Sequence, residues 1–443
     1  MDLTEVLSDQ IWSDIISGTS STNYIRAPEN KFSMRSDILQ PLTLRQSEGV
    51  FESSSVLQET LLDNVSRGRF RKQQKLFGFG ENKDGQLGLG NEVRQLTPKE
   101  ISFFKHHDIQ KIVTGGDYTL VLTDKGLFGF GRNVFNQLGL LREDGEGNID
   151  SLLEPTQIHF FDDHTIQIIA TGDEYTLVLS HRGLFGFGYN EDGQLGLGDI
   201  ESILTPTLIP FFNDKNILSV STGSNHTLVL TNEGLFGFGN NQSGQLGLGD
   251  INNRFEPTLI PFFNTYDVQK IVTGVFHTLV LTRLGLFGFG NNQSGQLGID
   301  VPDNICLYSS ILIPTQIPFF VGHIIKKITA SIAHTLVLTD KGLFSFGFND
   351  DGQLGLGDID NQRTPTQIHF FDDYNVKDIT ASYWHTLVLT HEGLFGFGDN
   401  RSGQLGLGDL ERRMTPTQIP FFNPYDDKTV ITGGSHTIVL TEE

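Results

Sequence analysis

The chain has 443 residues, with 31 Lys and Arg against 53 Asp and Glu, for a formal net charge of −22. So acidic a surface repels phosphate backbones, which disfavours direct nucleic-acid binding. Cys306 is the one cysteine, excluding an internal disulfide and any multi-cysteine zinc or iron–sulfur site.

No run of about 18 apolar residues is present, so no membrane-spanning helix is expected. The start, Met1-Asp2-Leu3-Thr4-Glu5, lacks the basic and apolar stretches of a secretion signal. An intracellular protein, cytoplasmic or nuclear, is the expectation. Leu7, Ile11 and Ile15 fall at helical spacing and predict an amphipathic helix over 7–16. A second amphipathic stretch runs from Ser53 to Asn64, and Arg67-Gly68-Arg69-Phe70-Arg71-Lys72 forms a basic cluster. That cluster reads either as a solvated linker or as a nuclear localisation signal. Residues 1–75 hold 9 Lys and Arg against 10 Asp and Glu, which leaves −21 on 76–443.

From Leu76 onward one pattern repeats. Leu-Phe-Gly-Phe-Gly begins at Leu76, Leu127, Leu184, Leu235, Leu286 and Leu394, and a seventh copy at Leu343 has Ser345 for the first Gly. Each copy leads into a Gln-Leu-Gly turn, a Pro-Thr pair in most units, a Phe-Phe pair and a strand such as His226-Thr227-Leu228-Val229-Leu230-Thr231. The repeat accounts for 28 of the 35 Phe. His226 to Thr231 alternates as a strand does, and Asn232-Glu233-Gly234 turns it into Leu235-Phe236-Gly237-Phe238-Gly239. Phe236 and Phe238 share one face, while Gly237 and Gly239 leave the other open to close approach. Pro257-Thr258 is expected to open a further strand carrying Phe262 and Phe263. Sheets of about 50 residues cannot bury a core alone and must stack on their copies, and seven copies suit a closed propeller.

Five units carry a His at the strand start: His226, His277, His334, His385 and His436. Tyr118 and Tyr175 hold that place in the first two units. One residue per blade at one position reads as a repeated structural hydrogen bond rather than a metal or catalytic set. The Asn-x-Asp-Gly turns at Asn82 and Asn190 lack the first and twelfth ligands of a calcium loop. The Gly-Phe-Gly pieces lie in strands with no helix following, so they make no dinucleotide fingerprint. Neither a Gly-x-Ser-x-Gly elbow nor a His-Glu-x-x-His pair occurs. No catalytic, cofactor-binding or metal-binding residue is therefore assigned, and the chain is read as a non-enzyme.

Units two and five are six residues longer than the rest, both between the Gln-Leu-Gly turn and the Pro-Thr pair. Equal location sends both loops from one rim, three blades or about 150° apart. The first, from Arg142 to Asp150, is acidic through Glu143, Asp144, Glu146 and Asp150. The second, Asp300 to Tyr308, carries Asp303, Ile305, Leu307 and Tyr308. These eight are the candidate partner-binding residues, an acidic prong opposite an apolar one, suited to a basic protein. A solvated loop and a loop folded on its own blade are the alternative account. The array ends at His436-Thr437-Ile438-Val439-Leu440-Thr441 without its hairpin partner, as it began at Leu76 without one. The two half-hairpins are expected to pair and close the ring.

The turn Asn190 to Gly198 and the strand Gly223 to Leu230 resemble the regulator of chromosome condensation repeat family. The likeness runs over 76–441, with Ser331 and Ser382 near places where that family carries Gly. It implies a seven-bladed propeller, and its name-giving member implies nucleotide exchange on a small GTPase. The Leu7–Ile16 stretch resembles the opening helix of an F-box, which implies recruitment of a ubiquitin ligase. The expected protein is all-β: a seven-bladed β-propeller over 76–443, closed by its last strand on its first, behind a partly helical segment 1–75. Its expected role is a monomeric, cofactor-free platform for a protein partner, a small GTPase or another basic protein. Guanine-nucleotide exchange and ubiquitin-ligase adaptor activity are the alternatives.

Overall fold

The computed structural model describes residues 73–141, 149–300, 310–425 and 427–442. The expected N-terminal helices and the basic cluster ending at Lys72 lie outside them. The first strand, β1 (Gln74–Gly80), carries the first Leu-Phe-Gly-Phe-Gly, and β2 (Gln95–Glu100) runs antiparallel to it. A full sheet follows: β3 (Ile109–Thr114), β4 (Tyr118–Thr123), β5 (Gly126–Arg132) and β6 (Ser151–Gln157), paired in that order. Five more take the same form, as β7–β10 over 166–208, β11–β14 over 217–259, β15–β18 over 268–316, β19–β22 over 325–367 and β23–β26 over 376–418.

The seventh sheet joins the two ends of the array. Its inner strands are the last in sequence, β27 (Asp427–Thr432) and β28 (His436–Glu442), and its outer strands are β1 and β2. Leu440 stands opposite Leu76, and His436 opposite Gly80. The innermost strands touch in succession: β3, β7 (Ile166–Thr171), β11 (Ile217–Thr222), β15 (Val268–Thr273), β19 (Ile325–Ala330), β23 (Val376–Ala381) and β27, which returns to β3. Each sheet therefore straddles two sequence units, with inner strands from one and outer strands from the next.

The repeat's composition follows from how blades pack. The second Phe of each copy, from Phe79 and Phe130 to Phe346 and Phe397, is fully buried between sheets. Burying a Phe contributes roughly 1.5–3 kcal/mol. Gly237 faces Leu246 and Ile260, whose methyl groups would lie 3.2 Å from an added Cβ. Gly239 has φ +97 and packs on the Asn225 carbonyl, so only Gly serves there. Ser345 is accommodated because its hydroxyl donates to the Leu354 carbonyl at 2.9 Å.

One expectation is corrected. Pro257 and Thr258 lie inside β14 (Arg254–Leu259), not at its start, and Phe262 and Phe263 sit on a 3-10 turn over Pro261–Thr265. The chain must there cross from the outer strand of one blade to the inner strand of the next, which an extended segment cannot do. Pro261 opens the turn because it lacks the N–H that the turn would leave unpaired. Phe263 is buried beneath the crossing, and Phe262 stacks on Tyr266 at 5.1 Å between ring centroids.

If the seam is an ordinary blade contact, Phe79→Ala beside it should cost as much as Phe238→Ala across the ring, about 3–5 kcal/mol each. Denaturant unfolding of both variants measures this, and a much smaller loss at Phe79 would mark a weak seam.

Candidate partner-binding rim

Two sets of turns share one rim, here called upper: those between the first and second strands of each sheet, and those between the third and fourth. The recurrent His lies just beneath it. His226 Nε2 meets the Thr278 hydroxyl of the next blade at 3.1 Å, and Thr278 donates to the Gln245 carbonyl at 2.8 Å. His226 and Gln245 belong to one blade, so together they clasp a Thr of its neighbour. The pattern recurs at His277–Thr335, His334–Thr386, His385–Thr437 and, across the seam, His436–Thr119. Tyr118 and Tyr175 complete the belt by reaching Thr176 and Thr227, both at 3.0 Å.

Because each Thr spends its proton on a Gln carbonyl, the imidazole must donate through Nε2. The Nδ1 atoms of His226, His277, His385 and His436 are then bare acceptors with no partner among the described residues. At His334 the Ser331 hydroxyl, in the place of a Gly, supplies one at 2.6 Å. Burial holds the imidazoles of His226, His277, His334 and His436 down at about 3, and that of His385 at about 4. The five are neutral structural links.

Above the belt, Asn and Gln side chains build the outer loops. Asn190 Oδ1 accepts the Leu195 N–H at 3.0 Å, and its Nδ2 donates to the Asp199 carbonyl at 3.2 Å. Gln194 Oε1 accepts the Asp192 N–H at 3.1 Å. Five loops then turn back at a second Gly of positive φ: Gly90, Gly198, Gly249, Gly357 and Gly408. The two long loops have Leu141 and Asp300 at that position. Asn133 and Asn292 close instead on the Leu140 and Ile299 carbonyls, at 3.0 and 2.8 Å. Both insertions thus leave the upper rim, from the β3–β6 and β15–β18 blades.

Of the eight candidate residues, Asp150 is described. It is exposed at the base of the first long loop, where its carbonyl accepts the Asn133 N–H at 2.7 Å. Glu143, Asp144, Glu146, Asp303, Ile305, Leu307 and Tyr308 lie outside the described residues.

The wider pattern of charge was not read from the sequence. Among described residues, the upper-rim turns hold 20 Asp and Glu against four Lys and Arg, namely Lys83, Arg94, Arg401 and Arg412. The opposite, lower turns hold 11 against six. Several upper carboxylates are built in. Asp192 accepts from Asn225 and Asn240 at 3.0 Å and from Asn253 at 2.8 Å, with burial raising its pKa. Burial pushes the Glu174 carboxyl up to about 7, against the pull of Arg132 at 3.3 Å. Asp351 is held by Arg412 at 2.8 Å and Arg401 at 3.2 Å.

No helix of the described residues is long and apolar enough to cross a membrane. The family model for the regulator of chromosome condensation (RCC1) repeat matches seven times, at 74–122, 124–179, 183–230, 232–281, 285–338, 340–389 and 392–440. The chain belongs to the RCC1 repeat family. It is 32% identical over 346 residues to the ultraviolet-B receptor UVR8 of Arabidopsis thaliana, covering 76% of each. It is 32% identical over 325 residues to the human X-linked retinitis pigmentosa GTPase regulator, from 61% of this chain, and spans only 32% of that protein. Yeast RCC1 (Prp20) bound to Kap60 superposes with a TM-score of 0.71 at 23% identity, over 84% of this chain and 89% of that one. Human WBSCR16 gives 0.69 at 23%, over 84% and 99%. At such identities the solved structures speak to the fold alone.

The neutral belt sets a pH dependence. Below about pH 6.5 the unfolded chain protonates these five His, and the folded chain does not until near 3–4. Their contribution is complete above that upper limit and is lost as pH falls, at about 1.4 kcal/mol per pH unit for each His. Glu174, raised to about 7, and Asp84, Asp173, Asp192 and Asp351, also raised by burial, work the other way, while His107 and His164, lowered by burial, add to the five. Denaturant unfolding from pH 7 to 4.5 should show steep loss, and His226→Gln should lessen the slope by about one proton. An unchanged slope would contradict a neutral, buried His226.

Proposed function

We propose that the chain is a non-enzymatic platform on which a basic protein partner docks by the upper rim. The observation that carries this reading is charge segregation: 20 carboxylates against four basic residues on one rim, and 11 against six on the other, among the described residues. A one-signed field on a rigid ring steers an oppositely charged partner and orients it face-on. In this reading the two insertions on that rim contribute through their composition: Glu143, Asp144, Glu146, Asp150 and Asp303 add negative charge, and Ile305, Leu307 and Tyr308 add apolar side chains. Prp20p, a propeller of the same fold, is described with binding properties toward Gsp1p and histones, and basic proteins of the histone kind are the first partners to try.

Glu191→Lys, Glu201→Lys, Asp350→Lys and Asp360→Lys together reverse four exposed upper-rim charges. Affinity for a core histone dimer, read by fluorescence anisotropy, should fall about tenfold or more and lose most of its salt dependence. Reversing Asp124, Asp163, Glu233 and Asp340 on the lower rim should leave it unchanged. Equal losses from both rims would sink the reading.

A second reading, nucleotide exchange on a small GTPase, is favoured by the likeness to a protein named as a GTPase regulator. Release of a fluorescent guanine nucleotide from small GTPases tests it: acceleration by the full chain makes it an exchange factor. Adaptor activity through residues 1–75 is tested by capture of ubiquitin-ligase components.

A further inference from the structure

The innermost strands carry charge of the opposite sign to the rest of the propeller. Six lysines lie on them: Lys111 on β3, Lys270 on β15, Lys326 and Lys327 on β19, Lys377 on β23 and Lys428 on β27. Asp378 and Asp427 are the only acids on these described strands, and no Arg is present there. In a repeat region of formal charge −21, this inner ring is a net cation. All six stand at the second or third residue of their strand. Each strand rises from the lower rim at about 3.3 Å per residue, so the amines gather near the lower mouth of the axis.

Their partners are few. Lys327 Nζ meets Asp378 Oδ1 of the adjacent inner strand at 2.6 Å, with side chains 39% and 42% exposed. Solvent on the axis therefore reaches this layer. Lys428 donates to the Tyr425 carbonyl. Lys111, Lys270, Lys326 and Lys377 make no hydrogen bond or ion pair among the described residues. Burial lowers the amine pKa of Lys111 and Lys270, and Lys327 adds repulsion at Lys270. Lys111 is half-buried with no ion pair among the described residues, Asp378 is the carboxylate that acts on Lys270, and Lys326 and Lys377 are exposed. A desolvated ammonium without a close counter-charge is costly unless an anion supplies one.

A side chain crosses the axis near its upper end. Tyr383, on the β23–β26 blade, reaches Asp173 on the β7–β10 blade, three places around the ring, closely enough for the two to interact. Its hydroxyl lies 3.1 Å from where a Gly116 side chain would begin, and its ring packs on Gly434. Both positions between the two blades are glycines, which leaves the tyrosine room to cross. The Ser224 hydroxyl also donates to Asp173, and Gly434 N–H donates to the Gly116 carbonyl at 2.7 Å. The axis is thus crossed by Tyr383 near its upper end, while the lysines of five of the seven inner strands lie toward its lower end.

We propose that the lower mouth of the axis binds a small, multiply charged anion of the polyphosphate class, held by Lys111, Lys270 and Lys327 with Lys326 and Lys377 beside them. Amines from four of the seven blades lie toward one end of the axis, so a compact, multiply charged ligand meets several together. An extended acidic peptide carries its charges along a line and meets fewer. Ammonium groups on low-dielectric walls focus the field toward the mouth, even though the outer surface is acidic. Lysine serves such a site as a point charge without demanding planar geometry.

Inorganic tripolyphosphate is the probe, titrated into the full chain by calorimetry at fixed salt. One-to-one binding is expected, weakened about tenfold or more by Lys111→Gln/Lys270→Gln, and unchanged by Lys99→Gln/Lys341→Gln on exposed surface. Absence of binding at about 1 mM, equal losses in the two double variants, or equally tight binding of a poly-glutamate peptide would each overturn the proposal. Should the inner double variant fail to fold, lysine acetylation of the unaltered protein, read by mass spectrometry, tests the same amines. Tripolyphosphate should then shield Lys111, Lys270 and Lys327 and leave Lys99 and Lys341 reactive. Uniform shielding, or none, would refute it.

Discussion

A threonine hydroxyl held between a carbonyl and an imidazole, or in two blades a tyrosine hydroxyl, joins each blade to the next. The hydroxyl donates to a Gln carbonyl of the preceding blade and, in five blades, accepts from the His of that same blade, as Thr278 does with Gln245 and His226. In the other two, Tyr118 and Tyr175 donate to the Tyr175 and His226 carbonyls of the next blade and lie 3.0 Å from its Thr hydroxyl. Both partners must come from one neighbour, so the bond fixes the angle between sheets as well as their distance. It lies under the rim, fully buried, where an unpaired donor costs about 1–3 kcal/mol. The seam between chain ends uses the same device, with Thr119 clasped by Gln86 and His436. Strand pairing of β28 on β1 and this belt close the ring together.

Because the belt and the Phe–Gly interlock are common to all blades, individuality is confined to positions that they do not use. Turn residues on the upper rim are free to vary, and carboxylates collect there. The second and third residues of the inner strands, near the lower end of the axis, also vary between blades. Lysines collect there. One scaffold thus presents charge of two signs, carboxylates on the upper rim and lysines toward the lower end of its axis.

The two long loops show how little is needed to depart from symmetry. Five loops return at a Gly with φ between +74 and +94. Where Leu141 and Asp300 stand instead, that conformation is strained for a side chain.

The sequence by itself determined the repeat, the alternation of its strands, the glycines that admit close packing and the number of blades, because these depend on patterns local to about 50 residues. It also showed that the His set was structural, since a residue copied once per blade answers to packing. The Phe pair was misplaced on a strand because its spacing does not distinguish an extended segment from a 3-10 crossing; only the path between blades decides that. The charge pattern was illegible for a related reason. Lys111 and Lys327 are 216 positions apart in sequence, and Asp192 and Asp351 are separated by 159. Closure of the ring brings the lysines to one mouth and the aspartates to one rim, and it alone places Tyr383 opposite Asp173.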